Sequence, residues 1–345
     1  MGEVKAVPDP VGTAPPVATG AAKAAARRAW LLREGWTGLV LAALIVGFAL
    51  WSPEFFGRLN WLNTSSTATE VLLLALGETF VIIAGGIDLS VGAVLGLSGM
   101  AGGWVMSDLM GRGTAVALTV AAGFAAALAV GLAFGLLNGW LIARHNIPAF
   151  VVTLGTLGIA TGLGDVVYNG QEISAIPTWV GAFGNTNLLG WIPVPVLIAA
   201  VLCVITGLAL AKTRYGSNTY AIGDSREAAI RAGLRWQRHL VKIYAVSGLL
   251  AGIDGVLVMS RLGAASPTSG LTDNLNAIAA VVIGGASLFG GRGKILGSII
   301  GTLIISVLLT GLIIVNVPPY WQEVAVGVVL ITAVYIDQYT GRRHR

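Results

Sequence analysis

Four carboxylates stand in or at the edge of long apolar runs: Glu78, Asp88, Asp254 and Glu323. A charge in hydrocarbon is costly, so such residues usually face a cavity or a partner. Glu78 and Asp254 lie deepest, and each could serve as a proton-coupling acid on a transport path. The alternative is a neutral, hydrogen-bonded residue between helices. Glu323 lies near the end of its apolar run, where water can solvate it. Asp88 lies in Gly85-Gly86-Ile87-Asp88-Leu89-Ser90-Val91-Gly92, a helix break followed by a helix start. Asp88 or Ser90 is placed to cap the helix from Val91 onward, and an acid suits that end of the helix dipole. A structural cap is favoured there over a transport role.

Other chemistry is missing from the sequence. His145, His239 and His344 are dispersed, with no H-E-x-x-H, and Cys203 is the single cysteine, inside an apolar run. Neither a disulfide framework nor a metal motif can be assembled from them. Gly290-Gly291-Arg292-Gly293-Lys294 superficially resembles a phosphate loop. It lacks the frame of one, because Leu288 holds the first position and Ile295 the last. Any ATP and Mg would be bound by another polypeptide; no cofactor of this chain's own is expected.

The elements around these residues are membrane segments. Hydrophobic residues make up 55% of the 345 and charged residues 11%, against about 25% charged in an ordinary soluble domain. Apolar stretches lie at roughly 36–51, 67–84, 91–107, 114–143, 149–167, 191–211, 239–259, 277–289, 295–317 and 320–336. The fold class expected is an all-α membrane protein of about ten transmembrane segments, some broken or re-entrant. Segment 277–289 is the weakest, far short of the ~20 residues a spanning helix needs. The net charge of +5 points to membrane orientation, with lipid as neighbour and no nucleic-acid partner.

Basic residues set the orientation, since Lys and Arg concentrate on the cytoplasmic side. With the N-terminus inside, 18 Lys and Arg fall in inside loops and tails, against three outside: Arg58, Arg112 and Arg261. Both termini are therefore expected in the cytoplasm of a multi-pass cell-membrane protein. Residues 1–35 are Ala/Pro-rich and expected to be a disordered tail, and 338–345 form a basic tail. The longest charged interruption, 212–242, carries seven basic residues around Glu227-Ala228-Ala229 and Gly233. A short helical Glu-Ala-Ala-x-x-x-Gly in an inside loop is how many membrane subunits present themselves to a soluble motor.

Glycines repeat one turn apart at Gly131/Gly135/Gly139, Gly92/Gly96, Gly158/Gly162, Gly248/Gly252 and Gly297/Gly301. Small residues at that spacing let helix backbones approach closely. A faint internal echo pairs Gly85-Gly86 with Gly284-Gly285, each breaking a hydrophobic run. Duplicated halves with interrupted helices are common in transporters.

Several stretches together resemble the sugar-importing ABC permeases of the ribose/xylose/fructose type, over about residues 52–337. They are Phe80 to Gly92, Ile147 to Thr156, Tyr220-Ala-Ile-Gly223 with Glu227-Ala-Ala229 and Gly233, Ala277 to Gly285, and Ser287 to Gly293. The resemblance implies a permease domain over 36–337, two permease copies forming the path, and a separate ABC ATPase subunit supplying energy. It also implies an extracytoplasmic binding protein that delivers a monosaccharide. Loop 212–238 would be the coupling loop, with Gly223, Asp224, Glu227, Ala228, Ala229 and Gly233 at the ATPase contact. Candidate path residues are Glu78, Asp88, Asn138, Asp254 and Asn276. The chain departs from the family's pattern at Asp224-Ser225, at Asn274-Leu275-Asn276, and in having acids at 78 and 254. Three other functions stay open at this point: a proton-coupled secondary transporter, an ABC permease for branched-chain amino acids or a signalling molecule, and a non-transporting membrane scaffold.

Overall fold

The computed structural model describes residues 20–342, with side chains described over 36–335. Residues 1–19 and 343–345 of the two expected tails lie outside the described residues. The helices run α1 (Gly20–Trp51), α2 (Arg58–Ile83), α3 (Val91–Gly111), α4 (Val116–His145), α5 (Ala149–Val167) and α6 (Thr178–Gly184). After a two-residue hairpin, β1 (Asn187–Leu188) and β2 (Ile192–Pro193), come α7 (Val194–Lys212), α8 (Arg214–Asp224), α9 (Arg226–Arg231) and α10 (Trp236–Leu262). The chain closes with α11 (Asp273–Ile283), α12 (Ile295–Ile314) and α13 (Pro319–Arg342). Helix α1 thus begins well inside the stretch expected as an N-terminal tail.

Each of the ten expected segments overlaps one of these helices, though 277–289 runs on past the end of α11 at Ile283 into a turn. Six helices among the described residues are long and apolar enough to cross a membrane: α2, α4, α5, α7, α10 and α12. Helix α11 is not one of them. Its 11 residues rise only about 16 Å, half of the ~30 Å hydrocarbon core.

Local chemistry sets many of the ends. Asn146 adopts a left-handed φ of 54° where α4 stops, and Pro148 two residues on is the N-cap of α5. Pro195 sits in the first turn of α7, where its missing N–H costs nothing.

Glycine decides the packing. Gly131, Gly135 and Gly139 on α4 lie against Gly248, Tyr244 and Val241 on α10, backbone to backbone. A Cβ on Gly131 would run into the Gly248 carbonyl, and one on Gly248 into the Gly131 carbonyl. Gly297 and Gly301 of α12 meet the backbone of α11 at Gly284 and Ala280, and Gly92 of α3 meets the Gly270 carbonyl. A Cβ on Gly158 or Gly162 would meet nothing within 4 Å among the described residues. Four of the five repeats are therefore internal contact lines, and α5 carries the exception.

The Gly-Gly echo is a repeated piece of geometry. At the end of α2, Gly85 N–H donates to Ile82 O and Gly86 N–H to Val81 O, both at 2.9 Å. At the end of α11, Gly285 N–H donates to Val282 O and Ala286 N–H to Val281 O. One glycine of each turn is left-handed: Gly85 at φ 82°, the first of its pair, and Gly285 at φ 90°, the second of its pair. The hydrogen bonds satisfy carbonyls that a broken helix leaves open.

The expected inside loops gather at one end of the bundle. Gly291 N–H donates to Ile83 O at 2.9 Å, Tyr220 Oη donates to Gly293 O at 2.7 Å, and Arg226 Nη2 donates to Asn146 Oδ1 at 2.6 Å. Expected outside loops meet at the other end, where Arg58 donates to Gly190 O and Trp61 Nε1 to Trp191 O.

Because the α4–α10 seam has no room for side chains, Gly131→Val should destabilise the detergent-solubilised protein by roughly 3 kcal/mol or prevent assembly. Gly158→Ala, on open surface, should leave the melting temperature unchanged or slightly raised. Thermal unfolding of the two variants compares them.

Candidate functional site: an exposed loop and two buried polar clusters

The charged loop folds into two short helices at the basic end. Thr213 starts α8 by accepting from the Tyr215 and Gly216 N–H groups. Ser225 caps α9, its hydroxyl accepting from Ala228 N–H at 3.2 Å. Of the loop's two departures from the family's pattern, Asp224 and Ser225, the second thus starts the Glu-Ala-Ala helix. Gly233 stops it: at φ 78° its N–H donates to Ile230 O, and Leu234 N–H donates to Ala229 O.

The six candidate residues of this loop divide by direction. Asp224, Glu227, Ala228 and Gly233 are exposed, Ala229 is buried and Gly223 is half-buried. Gly223 presses on the Ile83 carbonyl and on Gly290–Gly291, so closely that a Cβ has no space. Arg226 anchors the start of α9, its guanidinium 3.2 Å over the Trp236 ring. Thr219 and His239 share a 2.8 Å hydrogen bond behind α8.

Three of the five candidate path residues cluster near the first helix break. Asp88 Oδ1 accepts from Ser90 N–H at 2.9 Å and from Ser90 Oγ at 2.6 Å. Asn138 Nδ2 on α4 donates to Ser90 Oγ at 2.9 Å. The expected cap of α3 is corrected here. Ser90 is the N-cap residue but its hydroxyl makes no cap hydrogen bond; it donates to Asp88 instead. Glu78 lies within electrostatic reach of Asp88, as does Tyr244 of α10, whose hydroxyl packs against Gly86.

Asp254 belongs to a second cluster, further along α10. Arg261 Nε lies 2.6 Å from Glu70 Oε1 and its Nη2 donates to Glu70 Oε2 at 3.0 Å. Asp254 and Asp273 are within electrostatic reach of this pair. Asn276 Nδ2 donates to Asp273 Oδ1 at 3.2 Å, within its own helix. Asn274 Nδ2 donates to Leu89 O at 2.8 Å, tying α11 to the loop before α3.

All five candidate path residues are buried. They divide between two clusters, and none lines either of two open grooves among the described residues. Those are an open groove of about 320 Å³ beside Cys203 and Tyr220, and one of about 170 Å³ beside Phe124 and Phe183. Glu70, Arg261, Asp273 and Tyr244 were not singled out by the sequence. Glu70 stands after a polar run, Thr64-Ser65-Ser66-Thr67, and Arg261 reads as an outside loop charge. Their pairing spans 191 positions, which no local pattern reveals.

Two of the three acids of the second cluster, Glu70 and Asp254, should respond oppositely to neutralisation. Glu70→Gln leaves Arg261, with its side chain 30% exposed, short of its counter-charge, and should cost about 2 kcal/mol. Among the described residues Asp254 has no hydrogen-bond partner for either carboxyl oxygen, so Asp254→Asn should be neutral or stabilising. Urea or thermal unfolding in detergent measures both.

The comparisons with known proteins agree with this architecture. A family model described as "Branched-chain amino acid transport system / permease component" matches residues 60–334. The ribose import permease protein of Bacillus subtilis is 42% identical over 303 residues, covering 87% of this chain and 91% of that one. The D-allose transport system permease protein of Escherichia coli is 36% identical over 303 residues, covering 88% and 90%. The fructose import permease protein of Rhizobium meliloti is 36% identical over 310 residues, covering 87% and 83%. No solved structure matches. With similarity of this depth along nearly its whole length, the chain belongs to the permease-component family of ABC importers, among the sugar permeases of the ribose type, as a multi-pass membrane transport subunit and not an enzyme.

Proposed function

We propose that this permease subunit imports a monosaccharide of the ribose, allose or fructose class. An extracytoplasmic binding protein delivers the sugar, and a partner ABC ATPase binds ATP and Mg and drives the cycle. The observation that carries the reading is the similarity, over about nine-tenths of each chain, to permeases named for ribose and allose. The ten helices that carry the apolar segments span or enter the membrane, with both termini and the basic end in the cytoplasm. That orientation follows from the 18-to-3 division of basic residues and from the gathering of the expected inside loops at one end.

The ATPase docks on the exposed side of α8–α9, at Asp224, Glu227, Ala228 and Gly233. Among the described residues the Glu227 carboxylate makes no hydrogen bond or ion pair and is exposed, so it is available to a partner. Gly223 and Ala229 belong to the same loop but face the bundle. A second copy of the chain completes the path, because the candidate polar residues of a single copy are enclosed between its own helices. A sugar is uncharged, so the path needs no fixed counter-charge.

Reconstitution tests the reading. Vesicles containing the chain, its co-purified ATPase and the binding protein should take up labelled ribose, allose or fructose only with ATP inside the cytoplasmic compartment. Uptake that follows a pH gradient without ATPase would sink the proposal. Glu227→Arg should lower uptake about tenfold or more, the scale of losing an interface hot spot, with membrane insertion unchanged. Gly233→Pro should do the same, because proline cannot adopt φ 78°. Normal uptake by Gly233→Pro would defeat the docking assignment.

A further inference from the structure

We propose that Gly223 is a positioning residue for transport: it joins the ATPase-facing loop to both Gly-Gly helix breaks, so one displacement of the loop moves both breaks together. This rests on the permease reading above and adds the route by which the loop acts on the bundle.

The geometry is a junction of three backbones. Ile83 is the last residue of α2, immediately before the Ala84-Gly85-Gly86 turn. Its carbonyl accepts from Gly291 N–H at 2.9 Å, and Gly291 lies in the turn that follows the Gly284-Gly285 break. Gly223, near the end of α8, occupies the remaining space between them. A Cβ at 223 would collide with the Ile83 carbonyl and come within 2.7 Å of Gly291 N. Reciprocally, a Cβ at Gly290 would meet Gly223 O at 2.6 Å, and one at Gly291 would meet Asp224 Cα at 3.1 Å. Gly290 and Gly291 are left-handed, at φ 86° and 71°, conformations open to glycine at little cost.

A side-chain clasp reinforces the junction. Tyr220, one helical turn before Gly223, donates to Gly293 O at 2.7 Å. Burial pushes the Tyr220 hydroxyl above its ordinary range, so it remains a donor. Within the loop the 284–293 turn is held by Ser287 N–H donating to Arg292 O at 3.0 Å. Closely packed backbone without intervening side chains transmits displacement, because such interiors compress little.

Both breaks lead to elements that carry the buried polar residues. The first continues through Asp88 and Ser90 into α3, where Asn138 and Asn274 are attached. The second lies at the far end of α11, whose first turn holds Asp273. The two ends of this route are joined by the Asn274 to Leu89 hydrogen bond. A loop tied to one break alone would shear that contact, whereas a loop tied to both carries the pieces together.

The test uses the full complex in vesicles, reading sugar moved per ATP hydrolysed and amide hydrogen exchange of residues 81–91 and 281–293 with and without ATP. In the wild type, ATP should change exchange in both segments. Gly223→Ala should lower the sugar-to-ATP ratio roughly tenfold, since the added methyl must force the backbones apart, and should abolish the ATP response of both segments. Tyr220→Phe removes only the clasp and should lower the ratio about threefold, the scale of one hydrogen bond; it decides the matter if Gly223→Ala does not insert. An unchanged ratio, or an ATP response lost in only one segment, overturns the inference while leaving the permease reading standing. A wild-type complex that neither hydrolyses ATP nor moves sugar overturns both.

Discussion

A backbone N–H or carbonyl cannot be left without a partner in a membrane protein, and this chain breaks α2 and α11 at glycine turns. The rest of the structure depends on how those breaks are covered. At the ends of α2 and α11 the same hydrogen bonds recur at the same relative positions, each made possible by a left-handed glycine. The carbonyl of Ile83, still able to accept, takes the N–H of Gly291. The chain from Gly263 to Thr272, irregular in backbone, packs through Pro267, Ser269 and Gly270 against the glycine face of α3. The end of α2 is covered by Gly291 and the 263–272 segment by α3, and glycine supplies the room in both contacts.

The same demand shapes the polar interior. Ionisable residues within a membrane domain are expensive and face one another or a cavity. Here Glu70 meets Arg261, Asp88 is wrapped by Ser90 and Asn138 lies behind it. Glu78 and Asp254 make no side-chain hydrogen bond among the described residues. The two clusters occupy α2 at Glu70 and Glu78, two turns apart on one face, and both reach across to α10. Helix α10 is thus the common wall: glycines on one side for α4, polar residues on another for α2 and α11.

Much of the fold was legible in the sequence. Nine of the ten apolar runs fall on helices almost throughout and the tenth, 277–289, on a helix for its first half, and the Gly-x-x-x-Gly lines of α3, α4, α10 and α12 are contact lines. The Glu-Ala-Ala helix begins at a serine and ends at a glycine, as local capping chemistry requires. Such features depend on a few neighbouring residues, so short patterns carry them. Helix α1 was the exception. Its Ala/Pro-rich surroundings suggested a tail, while the Ala-rich stretch from Gly20 has high helix propensity and joins the apolar segment without interruption.

What the sequence by itself determined is the chemistry available: apolar segments, a basic side, glycines for close approach, no phosphate loop, and an acid-containing helix break. Hydropathy, charge and propensity act locally, and each leaves a readable trace. What only the tertiary structure decided is who meets whom. Nothing in the chain announces that Glu70 waits for Arg261, that Ser90 gives its hydroxyl to Asp88 instead of capping α3, or that Gly223 faces inward while Asp224 faces out. Those outcomes depend on the rotation and depth of helices far apart in sequence. A single helical residue turned by 100° exchanges an exposed docking position for a buried one.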